Sequence, residues 1–134
     1  MARQFVLLCT GQRGHTYRNT KLLHVGAKGQ PGECVRGGDY ESNDGEGGAP
    51  LLPDLQGQYR RSGQAGAVWS WSWPVGHNPK SAQFGITTRD YQDRRQWSGV
   101  FGDVVSGLDV VRAAVKYINI SEVTVVNCGV VLPL

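Results

Sequence analysis

Apolar positions along this chain come in short runs, each broken by glycine or a polar cluster. Gln4 to Cys9 carries Phe5-Val6-Leu7-Leu8 and closes on Thr10-Gly11, which predicts the last turns of a helix with a glycine stop. Leu22 to Val25 and Cys34 to Val35 predict short strands, the second ending at Gly37-Gly38. Asp39 to Pro53, rich in Gly, Asn, Asp, Ser and Pro, predicts a long irregular loop. Gly66 to Trp73 alternates toward its end, and Gln83 to Thr88 and Gly99 to Val104 are further strand candidates. Leu108, Val111, Ala114 and Val115 recur at spacings of three and four, so Gly107 to Tyr117 predicts a helix. Glu122 to Val131, with Val123-Thr124-Val125-Val126, predicts a buried closing strand. Short strands, one or two helices and glycine-rich turns predict a closed or nearly closed β structure.

Composition narrows the picture. The 134 residues suit one domain spanning 1–134. With 40% hydrophobic and 19% charged residues the chain is too apolar for disorder, and 19 glycines argue against a helix bundle. The net charge of +3 is mild, and basic residues pair only at Arg60-Arg61 and Arg94-Arg95, so no nucleic-acid partner is expected. Cys9, Cys34 and Cys128 lie far apart, and His15, His24 and His77 are isolated; free thiols and no metal site are expected. The glycine-rich stretch 37–48 lacks a following Lys-Ser/Thr, so no phosphate cradle and no cofactor is expected. No run reaches the eighteen or so apolar residues of a membrane span, and Phe5 to Cys9 is too short for a signal peptide. These features predict an intracellular protein, cytoplasmic or nuclear, with no membrane partner.

Six segments, in order, carry a resemblance. They are Gln4 to Gly14, Arg36-Gly37-Gly38-Asp39-Tyr40, Asn43 to Gly48, Ala82-Gln83-Phe84-Gly85-Ile86, Val100-Phe101-Gly102 with the following Asp103 to Val111, and Val123 to Gly129. Together they resemble the cyclophilin family of peptidyl-prolyl isomerases over nearly the whole chain. The resemblance implies a mainly β fold with flanking α-helices, a cyclophilin-like eight-stranded barrel incomplete at its N-terminus. Counterparts of the family's first two strands are not found. Glu122 to Val130 is therefore expected to expose an unpaired edge, and the chain to self-associate with that strand or the Trp69–Trp73 strand at the contact.

As the resemblance implies, catalysis needs an apolar cup for the proline ring and an arginine beside the twisting bond. The arginine favours the pyramidal amide nitrogen and so lowers a barrier of roughly 18–20 kcal/mol. On the resemblance the family's Phe-His-Arg matches Leu23-His24-Val25, which puts Val25 at the catalytic position. Arg36 replaces a groove glutamine and is the one candidate for a substitute. The floor phenylalanine maps to Gly85, beside Gln83; the rim tryptophan maps to Asp93, the pocket leucine to Arg94, the histidine to Ser98 and the methionine to Cys34. Losing a buried Phe forfeits on the order of 2–3 kcal/mol of apolar contact, and Arg94 puts a charge where the ring should sit. An ordinary proline cup is not expected.

Trp69-Ser70-Trp71-Ser72-Trp73 places three indoles on one face of a strand. Trp69, Trp71 and Trp73 either pack the core, refill the emptied pocket or offer an aromatic binding surface. The functional expectation is a family member without isomerase activity that binds a protein or peptide segment, proline-containing segments included, as a module of a larger scaffold. The alternatives are a weak isomerase using Arg36 and a product that folds poorly.

Overall fold

A computed structural model describes residues 1–52, 58–72, 80–117 and 119–131. Gly11 ends the first helix, α1 (Ala2–Thr10), in the left-handed conformation at φ 72°, and its N–H donates to the Leu7 carbonyl. This is the glycine stop predicted from the sequence. The strands follow as β1 (His24–Gly26), β2 (Cys34–Gly37), β3 (Arg60–Ser62), β4 (Ala67–Ser70), β5 (Phe84–Thr87) and β6 (Trp97–Asp103). Helix α2 (Leu108–Ala114) and a 3-10 turn over Ile120–Glu122 close the order. The fold is thus mainly β with flanking helices, as predicted.

The six strands among the described residues pair antiparallel in one sheet, in the order β1-β2-β5-β4-β6-β3. One face carries Phe84, packed with Leu8 and Tyr17 and flanked by Phe5 and Phe101. Farther along that face Val35 meets Ala114, Val115 and Ile120, with Val25 and Val111 against them. The apolar stripe of α2 is what this second cluster buries. Opposite it, Cys34, Ala67, Trp69 and Val100 form a third cluster, joined by Trp71 and Trp97.

The structure corrects two expectations. Among the described residues the sheet is not closed into a barrel: β1 forms one edge and β3 the other. Of the predicted closing strand from Glu122 to Val131, Glu122 ends the 3-10 turn and the rest forms no strand, only a single bridge, Lys21 to Thr124. Three main-chain hydrogen bonds tie it to the segment before β1, between Leu22 and Val123, Asn19 and Val125, and Val125 and Thr20. Polar side chains compete with further pairing. Asn119 accepts from the Ser121 N–H and starts the 3-10 turn, and Asn127 accepts from the Cys128 N–H. Strand β3 was not anticipated, because Arg60-Arg61-Ser62 lacks apolar alternation; pairing with β6 and the Arg60–Asp103 ion pair hold it.

Candidate functional site

Register fixes which residues share the face that carries Trp69. His24 lies opposite Arg36 across β1 and β2, Arg36 opposite Gly85 across β2 and β5, and Gly85 opposite Trp69 across β5 and β4. Directly paired residues point to the same side of a sheet, so these four form one row. Val25 is paired with Val35 and lies in the α2 cluster on the other face. The position assigned to the catalytic arginine therefore does not reach this face at all. His24, its neighbour, does.

Among the described residues the row has no open cup at Gly85. A Cβ at Gly85 would stand 2.3 Å from Cζ2 of Trp69, so the indole occupies the volume a side chain there would need. Trp69 is 2% exposed and its Nε1 donates to Thr87 Oγ1 at 3.1 Å. Its ring stacks on Trp97 at 4.1 Å between centroids with 9° between planes, and on Trp71 at 5.3 Å and 27°. Tyr91 extends the series at 5.8 Å from Trp97. At the other end the Arg36 guanidinium carbon sits 4.7 Å from the centre of the Trp71 ring. Cys34 packs in this cluster, and burial pushes its thiol pKa up. Trp69, being buried, offers no binding surface; Trp71 is half-buried and forms the wall beside Arg36. Trp73 lies outside the described residues.

A loop supports the row from below. Asp39 accepts five main-chain N–H bonds, from Glu41 and Ser42 on Oδ1 and from Asp44, Gly45 and Gly47 on Oδ2, at 2.8–3.1 Å. Burial pushes the carboxyl pKa up, but the amides of Ser42, Gly47, Asp44 and Gly45 outweigh it and hold it well below the usual carboxylate range. The loop so folded presents the Gly45 and Gly47 carbonyls to Gln83 Nε2 at 2.9 and 2.7 Å. Gly45, at φ 94°, also makes room for Arg36: a Cβ there would lie 2.7 Å from Nη2. Burial lowers the Arg36 pKa, opposed by the Glu46 and Asp39 carboxylates, and the group remains a cation. Three polar atoms at this site are buried without a partner among the described residues: Arg36 Nε, Gln83 Oε1 and Trp97 Nε1.

Asp93 and Arg94 stand apart from the row. Both are exposed in the turn before β6, where Asp93 takes φ 61°, and both line a shallow cleft with Tyr91. Ser98 follows Trp97 in β6 and is half-buried. Of the positions singled out from sequence, the fold thus joins His24, Arg36, Gly85 and Trp69 in one row. Cys34 and Trp71 pack around that row, and Gln83 braces the loop beneath it. Val25 faces away, and Asp93 and Arg94 sit at the margin. Sequence reasoning missed Trp97, a lone aromatic in a polar stretch, and Thr87, the acceptor for Trp69. No three His, Cys, Asp or Glu side chains converge as a metal site among the described residues. No described helix is long and apolar enough to cross a membrane.

Comparison with known proteins places these features in a lineage. The family model for cyclophilin type peptidyl-prolyl cis-trans isomerase/CLD matches residues 1–130. A peptidyl-prolyl cis-trans isomerase from Encephalitozoon cuniculi (strain GB-M1) is 30% identical over 120 residues, covering 87% of this chain and 66% of the relative. The chain thus spans just under two thirds of that relative's length.

Proposed function

This chain belongs to the cyclophilin-type peptidyl-prolyl cis-trans isomerase family, and from that premise we propose that it binds a protein segment without isomerising prolyl bonds. One observation carries the reading: the Trp69 indole fills the space at Gly85, so no proline ring enters beside Arg36. Catalysis by transition-state binding requires the ring to be held while the bond twists, and a filled site holds nothing. What remains accessible is a shallow face made of His24, Arg36 and the half-buried Trp71, suited to a short proline-containing peptide lying flat on an indole. The reading includes self-association through the segment after Glu122, which is supported by the exposed Val126 and Val131.

A protease-coupled prolyl isomerisation assay tests it. The expected rate is that of the uncatalysed reaction, while a proline-containing peptide shifts the Trp71 and His24 resonances. Turnover at the level of an ordinary family member overturns the proposal.

A second reading, a slow isomerase, is favoured by Arg36 Nε, a buried N–H beside the row with no partner among the described residues. In that case residual activity disappears in Arg36→Ala and survives in His24→Ala.

A further inference from the structure

At the end of the sheet where Cys34 pairs with Thr87, three segments approach one another: the turn after β1, the residues after β5 and the end of α2. Between them lies a cleft of about 560 Å³ whose charged lining residues are Lys28, Glu33, Arg89, Asp90, Arg112 and Lys116. Four cations thus share the cleft with two carboxylates.

Glu33 is bonded through both oxygens and Asp90 through one. Glu33 is 5% exposed; its Oε2 accepts from the Gly29 N–H and its Oε1 from Thr88 Oγ1, each at 2.7 Å. Asp90 Oδ1 accepts from the Ala65 N–H at 2.7 Å. None of the four cations forms an ion pair among the described residues. Arg112 is anchored by its Nε, which donates to the Thr88 carbonyl at 2.9 Å, and its terminal nitrogens have no partner among the described residues. That is the preorganised half of a two-pronged contact with an oxyanion. Val115, 5% exposed, reaches the cleft only at its floor, and the carbon stems of the lysines and arginines supply most of the apolar wall.

We propose that this cleft is a binding site for an anion with an apolar body, of the aryl phosphate class. The anionic group would meet Arg112, Lys28, Arg89 and Lys116, and the ring would lie against Val115 and the side-chain stems. The site is separate from the Trp69 row, so the proposal stands whether or not the protein isomerises proline.

The probe is phenyl phosphate, titrated into isotope-labelled protein and followed by NMR, with inorganic phosphate and a short phosphotyrosine peptide in parallel. Sodium chloride at matched ionic strength is the control. The expected result is saturable shifts of Gly29, the Arg112 Nε–H and Val115, with a dissociation constant of ~1 mM or tighter. Inorganic phosphate should bind more weakly. A peptide that binds tighter than phenyl phosphate points to a protein-borne ligand, and equal affinity to a free small molecule. Lys28→Gln with Lys116→Gln, both exposed and outside the core, should weaken binding about tenfold with an unchanged amide spectrum. Arg112→Lys should weaken it further by removing the planar fork. Three results overturn the proposal: shifts reproduced by chloride, shifts spread equally over Arg60, Arg61, Arg94 and Arg95, or inorganic phosphate binding as tightly as phenyl phosphate.

Discussion

Trp69 and Gly85 face each other across β4 and β5 in direct register, and the indole of one lies in the space that any side chain of the other would fill. The two residues act as a size pair: the largest side chain is accommodated because its partner has none. The packing of Trp69 with Trp71, Trp97 and Cys34 follows from that exchange of volume.

Gly85→Ala should therefore destabilise the protein by about 1–3 kcal/mol, the usual cost of forcing an atom into a packed site. Gly85→Phe alone should be worse. Gly85→Phe combined with Trp69→Ala should recover part of the loss, giving a coupling of opposite sign to the single changes. Urea midpoints read the cycle. An unchanged midpoint for Gly85→Ala would show that Trp69 does not hold this position.

Val25→Arg should not restore isomerisation and should cost about 1–3 kcal/mol of stability, because it replaces half-buried apolar packing with a guanidinium that has to reach for solvent. Val25 packs with Val35, Ala114 and Val115 beneath α2. His24→Arg, on the exposed side of the row, should fold with a near-normal midpoint. Thermal melts of the two variants distinguish the faces: equal melting temperatures would contradict the register described above.

Asp39 should make stability pH-dependent in the acid range. Its folded pKa lies below the unfolded value of about 3.9, so the contribution is complete above that value and is lost as pH falls below it toward the folded pKa. Asp39→Asn should cost on the order of 3 kcal/mol at neutral pH and flatten the profile between roughly pH 4 and pH 2. A series of denaturation midpoints against pH measures both. A variant that keeps the wild-type slope would mean another carboxylate carries it.

The proposed self-association should appear as a molar mass that rises with concentration in light scattering. Val126 is 74% and Val131 95% exposed, and among the described residues the segment pairs on one side only, with residues 19–22. Val126→Lys should shift the mass toward the monomer by placing a charge on that edge. A constant monomer mass for both proteins would end the proposal.

Much of the fold was legible because local signals agreed with it. The Gly11 stop, the spacing of Leu108, Val111, Ala114 and Val115, and the strand around Phe84 each needed only neighbouring residues. The closing segment was not legible in the same way. Its β-branched run predicts a strand, but pairing depends on what lies beside it, and here Asn119 and Asn127 turn main-chain donors inward. At the site, the loss of volume at Gly85 and the gain at Trp69 were each readable in sequence. That the two compensate required the register between β4 and β5. Which face Val25 takes also needed the register: one residue along a strand reverses the face, and pairing with Val35 turns Val25 away from the row.

Stacking at 4.1 Å with nearly parallel planes places Trp69 and Trp97 close enough for their electronic transitions to couple. The protein thereby carries its own optical reporter. The coupled pair will have a near-ultraviolet circular dichroism signature that two separated indoles lack. Whatever pries the rings apart, a ligand edge entering beside Trp71 or a loosening of β4 from β6, will be visible as the loss of that band without any added label.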